Sequence, residues 1–280
     1  MPRFLIVDGY DKPARDALTG GGCTHAGELY HSMLTALAPG AETQIVMPGD
    51  GDSALPAGVA LTDFDGITWT GSSLTIHKVT PAVQRQVDFA RAAFKSGTPQ
   101  FGSCWAAQIA TVAAGGQCGP NPQGREFGAA RKIYLTDAGR AHPLFAGRAP
   151  VFDGFTSHYD IVTALPPRAE LLASNSFTEV QALTVDHDGG SFWAVQYHPE
   201  YSPKDVADLA RLRTDSLIED GHFADAEQAA RFVDEWTTLA TAPDRLDLAW
   251  VHGLEADLLD PAQRWTEVKN WIDAKIPRAQ

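Results

Sequence analysis

The chain has 280 residues, of which 44% are hydrophobic and 20% charged, with three cysteines and a formal net charge of -13. That composition suits one large globular domain or a domain with an appendage, and no apolar run reaches the roughly 18 residues of a membrane span. The acidic balance disfavours tracking of nucleic-acid phosphates and docking on an anionic membrane, and an odd cysteine count without a Cys-x-x-Cys pair or metal-ligand spacing suits a reducing compartment without bound metal. Met1-Pro2-Arg3 runs directly into the apolar stretch Phe4-Leu5-Ile6-Val7, which reads as a strand, not a cleavable leader; a cytoplasmic protein is expected.

In chain order, residues 3–8 form a first buried strand and residues 24–38 carry Leu29, Met33, Leu34 and Leu37 at helical spacing. Gly20-Gly21-Gly22 before that helix reads as a loop, without the Lys-Ser/Thr of a phosphate loop. Residues 43–47 are strand-like and stop at Pro48-Gly49. Residues 64–71 form a strand that ends in a glycine turn. A helix is expected over residues 81–95, with Pro81 in its first turn, then a strand end at residues 98–102 and a helix from Trp105 to Ala114. This alternation predicts an α/β fold: a mostly parallel central sheet with helices on both faces. Short β-rich runs at residues 131–135, 149–155, 170–174, 180–185 and 191–197 should add antiparallel strands at its edge. Beyond Pro203 three helical patterns follow, over residues 205–217, 224–239 and 260–274. Residues 1–203 are therefore expected to form the α/β domain and 204–280 a C-terminal helical extension.

The sharpest chemical signal is Phe101-Gly102-Ser103-Cys104-Trp105-Ala106-Ala107-Gln108. A strand that turns at a cysteine directly into a helix is a nucleophile elbow: the turn exposes the thiol and the helix N-terminus favours a thiolate. The bland alternative is a buried structural cysteine. The second signal is Gln196-Tyr197-His198-Pro199-Glu200, in which His198 can act as base and then acid while Glu200 orients its ring. Taken alone, a His-x-Glu is common on surface loops. His77, His142 and His187 lack sequence partners and read as structural or solvated. Cys23 and Cys118 lie in glycine-rich loops and are not nucleophile candidates.

Together the two blocks resemble the class I glutamine amidotransferases, whose elbow reads Gly-x-Cys-x-Gly-x-Gln and whose second signature ends in Gln-Phe/Tyr-His-Pro-Glu. Stand-alone proteins similar to the glutaminase domain of GMP synthetase fit best, over about residues 1–203. The resemblance implies a flavodoxin-like fold, a Cys104–His198–Glu200 triad, and a glutamyl-thioester intermediate with no cofactor. It implies an oxyanion hole of backbone N–H groups from Gly71, Ser72 and Trp105. Gln108 and the segment Ser157-His158-Tyr159-Asp160 would grip the glutamyl α-amino and carboxylate groups. One departure stands out: Ala106 occupies the family's usual glycine position.

Two activities stay open. A stand-alone hydrolase would release glutamate and an amine from a γ-glutamyl amide, with Trp105 and Trp69 as aromatic walls. A glutaminase partner protein would pass ammonia from glutamine to a separate synthase. A non-catalytic binding protein on the same fold fits the complete triad less well. The aromatic-rich extension, with Phe232, Trp236, Trp250, Trp265 and Trp271, should cover the site or form a homodimer.

Overall fold

Nine strands form one continuous sheet in the order β2-β1-β3-β4-β11-β10-β9-β6-β7 in the computed structural model, which describes residues 1–51 and 55–276. The strands are β1 (Arg3–Val7), β2 (Glu42–Val46), β3 (Gly66–Trp69), β4 (Gln100–Ser103), β5 (Gln117–Pro120), β6 (Glu126–Leu135), β7 (Val151–His158), β8 (Asp160–Ala164), β9 (Ala169–Ser174), β10 (Ala182–His187) and β11 (Gly190–Val195). Pairings from β2 through β11 are parallel, and those from β11 to β7 are antiparallel. The sheet is thus mixed: a parallel half built by β-α alternation and an antiparallel wing built from the short β-rich runs. A separate ribbon pairs β5 with β8.

The helices are α1 (Lys12–Gly20), α2 (Ala26–Leu37), α3 (Pro81–Ser96), α4 (Trp105–Ala113), α5 (Asp137–Ala141), α6 (Pro203–Leu212), α7 (Thr214–Glu219), α8 (Ala226–Thr241), α9 (Leu246–His252), α10 (Ala256–Leu259), α11 (Pro261–Arg264) and α12 (Thr266–Lys275). Helix α3 starts as the sequence suggests: the Thr80 hydroxyl accepts from Val83 N–H, and Pro81 fills a first-turn position that needs no donor. The Gly20-Gly21-Gly22 run is not a free loop. Gly20 ends α1, and Gly21 closes the helix by donating to the Ala17 carbonyl at 3.0 Å.

Strand β1 shows how the layers arise. Leu5 and Val7 join one apolar cluster with α3 and α4, whereas Phe4 and Ile6 join a second with α2 and α12. This period-two division buries both faces of this interior strand. The tail supplies part of the second cluster: Trp271 of α12 is fully buried beside Phe4 and Phe101, with ring centroids 5.9 and 5.8 Å away. A third cluster joins α6, α8 and α9 to Tyr10, Leu18, Phe155 and Tyr201. The apolar stripes read after Pro203 are therefore buried against the sheet and its connections. Among the described residues no helix is long and apolar enough to cross a membrane.

Strands β3, β4 and β11 lie side by side and parallel, with Trp69 opposite Gly102 and Val195 opposite Ser103. The segments that follow them emerge at one edge of the sheet. These carry Gly71-Ser72, Cys104 and His198-Pro199-Glu200. The carboxyl ends of parallel strands are where α/β sheets place their ligands.

Candidate active site

Cys104 has φ 53° and ψ -97°, an unfavourable conformation for a non-glycine residue. The turn is pinned by the Cys104 N–H, which donates to the Val195 carbonyl at 2.8 Å, and by the start of α4 at Trp105. The elbow therefore holds the thiol between a strand end and a helix N-terminus. The strand side must approach closely. A methyl on Gly102 would stand 2.4 Å from the Ala106 Cβ and 2.5 Å from the Trp69 carbonyl oxygen. The methyl of Ala106 thus sits over Gly102, packed into the elbow's interior and away from the pocket.

His198 is buried. Its Nδ1 donates to Glu200 Oε1 at 2.7 Å, while Nε2 makes no regular hydrogen bond among the described residues and is left beside the Cys104 sulfur. Tyr201 stacks flat on the imidazole, with centroids 3.9 Å apart and planes within 2°. On another side, a Cβ at Gly71 would come within 2.8 Å of His198 Cε1. Ring rotation is thereby blocked by packing as well as by the carboxylate. Burial alone would lower the imidazole's pKa. The negative charge of Glu200 and then the Cys104 sulfur outweigh it and hold His198 at about 9.

Glu200 is itself anchored. The Ser103 hydroxyl donates to the same Oε1 at 2.9 Å, and the Tyr30 hydroxyl donates to Ser103 Oγ at 2.8 Å. Burial, followed by the charge of Glu200, pushes the Tyr30 phenol well above its ordinary pKa, so it remains a proton donor. The elbow residue preceding Cys104 thus holds the acid that holds the histidine. Neither Ser103 nor Tyr30 stands out in the sequence. A serine beside the elbow cysteine and a tyrosine on a helix stripe have ordinary structural readings.

In front of these groups lies a cavity of about 490 Å³. Cys104, Trp105, Gln108, Ser72, Ser157, His158, Tyr159 and Asp160 all line it, so residues spread over 89 positions of chain meet at one place. Their side chains are committed differently. Gln108 donates to the Asp160 carbonyl at 2.9 Å, and Asp160 Oδ2 accepts from Ile76 N–H at 3.2 Å and faces His77 Nδ1 at 3.0 Å. The His158 ring turns away into a bond with Glu126 at 2.9 Å, and the Tyr159 ring is half exposed beneath the Arg125 guanidinium. Ser157 Oγ accepts from Arg213 at 2.8 Å. Among the described residues the backbone N–H groups of Gly71 and Ser72 have no protein acceptor, and Trp105, first in α4, lacks a helical one.

One residue stands differently from the reading of the sequence alone, and two more gain a definite place. Trp69 is no wall of the pocket: it is fully buried, bonded through Nε1 to Gln100 Oε1 at 3.0 Å and packed on Phe89 and Phe192. Its place on the fourth residue of β3 sends the side chain into the sheet's core. His77 is not merely solvated, because it pairs with Asp160 at the cavity wall. Arg213, at the α6–α7 junction, also lines the cavity, although in the sequence it is one charge in a helical pattern. The other cysteines are poor nucleophiles by environment: burial raises the pKa of both Cys23 and Cys118, and Asp160 raises that of Cys118 further.

The architecture is that of an α/β hydrolytic site at the carboxyl edge of a parallel sheet. Residues 57–211 match the profile of the family "Glutamine amidotransferase class-I". The chain is 35% identical, over 99% of its own length and 95% of the relative's, to a γ-glutamyl-L-1-hydroxyisopropylamide hydrolase of a Pseudomonas species. It is also 38% identical to a glutamine-hydrolysing GMP synthase of Thermomicrobium roseum, over 38% of this chain and 18% of that protein. Among solved structures, a glutamine amidotransferase of Thermotoga maritima superposes with a TM-score of 0.64 at 12% identity, covering 92% of this chain and 98% of that one. One from Methylobacillus flagellatus gives 0.60 at 17% identity, covering 100% and 96%. The chain belongs to the class I glutamine amidotransferase family and is a hydrolytic, amidotransferase-like enzyme.

Proposed function

We propose that this protein is a stand-alone γ-glutamyl amide hydrolase working through Cys104, His198 and Glu200. The observation that carries the reading is the free Nε2 of a buried His198, fixed by Glu200 at 2.7 Å and set beside the elbow cysteine. In the proposed cycle the Cys104 thiolate attacks the γ-carbonyl carbon. The oxyanion is received by backbone N–H groups of Trp105 and of Gly71 or Ser72, each donor contributing roughly 3–4 kcal/mol to the transition state. Imidazolium His198 protonates the departing amine as the C–N bond breaks, which leaves a glutamyl thioester. His198 then deprotonates a water, which attacks the thioester. Glutamate leaves and the thiolate–imidazolium pair is restored. Gln108 and the segment from Ser157 to Asp160 are assigned to the glutamyl half. Residues 1–203 form the catalytic unit in this reading, with 204–280 completing one side of the pocket.

Similarity along nearly the whole length to a γ-glutamyl amide hydrolase supports release of an organic amine over transfer of ammonia. A cavity of about 490 Å³ leaves room beyond a glutamine side chain. The test is glutamate release by the purified chain from glutamine and from γ-glutamyl alkyl-, hydroxyalkyl- and arylamides. The expected result is a higher kcat/KM for at least one substituted amide than for glutamine, with no turnover by Cys104→Ala and labelling of Cys104 by a diazoketone glutamine analogue. Glutamine as the best substrate, or turnover only after a synthase is added, would establish the ammonia-donor reading instead.

A further inference from the structure

The wall of the cavity carries a positive charge that has no ion-pair partner among the described residues. Arg125 is paired with Asp220 at 2.6 Å, and Asp160 faces His77 at 3.0 Å. Lys78 stands exposed at the rim, where water and salt screen it. Arg213 is different. It is partly buried, it lines the cavity together with Cys104, and among the described residues it forms no ion pair. Its Nη1 donates to Ser157 Oγ at 2.8 Å. Burial opposes its charge, but Tyr10, Tyr201 and Cys104 around it favour the cation more strongly, so its pKa is raised. A guanidinium stabilised as a cation, yet without a carboxylate partner among the described residues, stands on the cavity wall where it can meet an anion that enters.

We propose that Arg213 is a substrate-binding residue that receives a carboxylate, bringing the C-terminal extension into the active site. This inference deepens the amide-hydrolase reading and rests on it. The planar guanidinium presents its N–H groups as a fork that fits a carboxylate, and Ser157 fixes one prong. Its neighbours place it: Tyr201, which favours its charge, is the residue stacked on His198, and Ser157 opens the segment assigned to the glutamyl half. A γ-glutamyl amide presents a carboxylate in one of two places, the α-carboxylate of the glutamyl unit or an acid on the amine half. The residue lies just past the region that matches the family profile, which ends at residue 211. It is thus a feature of this chain's extension more than of the elbow.

The experiment compares the full-length protein with Arg213→Met and Arg213→Lys, each first shown to be folded by thermal melting. Two substrate pairs isolate the two carboxylates: γ-glutamyl against 4-aminobutyryl p-nitroanilide, and γ-glutamylglycine against γ-glutamylmethylamide. Arg213→Met is expected to lose roughly 10- to 100-fold in kcat/KM on the carboxylate-bearing member of one pair, mainly through KM, with little loss on its partner. Arg213→Lys should fall between the two. Collapse of the first pair's ratio assigns the α-carboxylate, and collapse of the second assigns the amine half. Ratios that survive unchanged in both variants overturn the proposal. Should the wild-type protein hydrolyse none of these amides, the amidase reading falls, and Arg213 is judged by calorimetry with L-glutamate. Binding weakened at least 10-fold in Arg213→Met sustains its role, and unchanged or absent binding rejects it. If Arg213→Met does not fold, the same criteria apply to Arg213→Lys.

Discussion

Among the described residues two buried histidine–glutamate pairs differ in the atoms they leave unpaired. At the elbow, His198 gives Nδ1 to Glu200 at 2.7 Å and keeps Nε2 free. In the antiparallel wing, His158 gives Nε2 to Glu126 at 2.9 Å, and its Nδ1 lies 3.2 Å from the Asp160 carbonyl. Glu126 also accepts from Asn175 at 2.7 Å, Gln181 at 2.9 Å and Thr178 at 3.3 Å. Burial would raise its pKa, but His158 and the amide donors hold it below the ordinary glutamate value. The second pair is saturated, so it locks β6 and β7 and the loop at Asn175. The first is left incomplete. A His–Glu contact alone therefore says little about chemistry; the unoccupied nitrogen beside a thiol is the informative part.

That contrast can be broken from either side. The largest effect should come from His198→Ala, which removes the only proton carrier in the proposed cycle. A loss of roughly 10^4-fold in kcat is expected, with a melting temperature that moves far less. Near-normal turnover of that variant would eliminate the proposed roles.

Glu200→Gln should cost less, roughly 10^2-fold, and should change the pH profile. Glu200 is the largest influence raising the His198 pKa to about 9, and in the proposed cycle His198 must be protonated to expel the amine. The alkaline limb of kcat/KM is thus expected near pH 9 in the wild type and at lower pH in the variant. The same raised value contributes stability that is fully present below about pH 6.5 and is lost as pH rises through about 9. An alkaline limb that stays in place would show that another group governs it.

The smallest effect on rate should follow Glu126→Gln. This variant leaves the elbow untouched and disturbs a saturated network, so about 1–3 kcal/mol of stability is expected to go while kcat stays within roughly threefold. The lost contribution belongs to the range above the ordinary glutamate pKa of about 4.3 and fades as pH falls through the depressed folded value. Denaturant titrations at neutral and acid pH, read beside turnover, measure both. A variant as inactive as His198→Ala would erase the distinction between the pairs.

Much of the site's scaffold is legible because it is local. A strand running through Gly102 into a turn at Cys104 and a helix at Trp105 is written in eight consecutive residues, and His198-Pro199-Glu200 in three. The β-α alternation likewise announces the parallel half. What stays hidden depends on contacts between distant segments. The β5–β8 ribbon joins residues forty or more positions apart through short runs of weak pattern, Gln117 opposite Ala164 and Pro120 opposite Asp160. The helical pattern over residues 205–217 is interrupted at Arg213, where α6 ends and α7 begins. No periodicity separates a charge on a solvated face from one turned toward Cys104. Trp69 misleads for a related reason: proximity in sequence to a turn does not say which face of the strand a side chain takes.

The methyl of Ala106 over Gly102 has a consequence for how long the elbow survives. Within a helix, alanine in place of glycine narrows the conformations open to the unfolded chain, an advantage of about 0.4–1 kcal/mol where the native geometry accepts the methyl. Here the geometry does accept it, because position 102 has no side chain to compete for that space. The first turn of α4, together with the Cys104–Val195 hydrogen bond, keeps Cys104 in its unfavourable conformation, and fraying there would loosen that hold. The added methyl works against that fraying through the disordered chain, and so favours the strained conformation of Cys104 from outside the cavity.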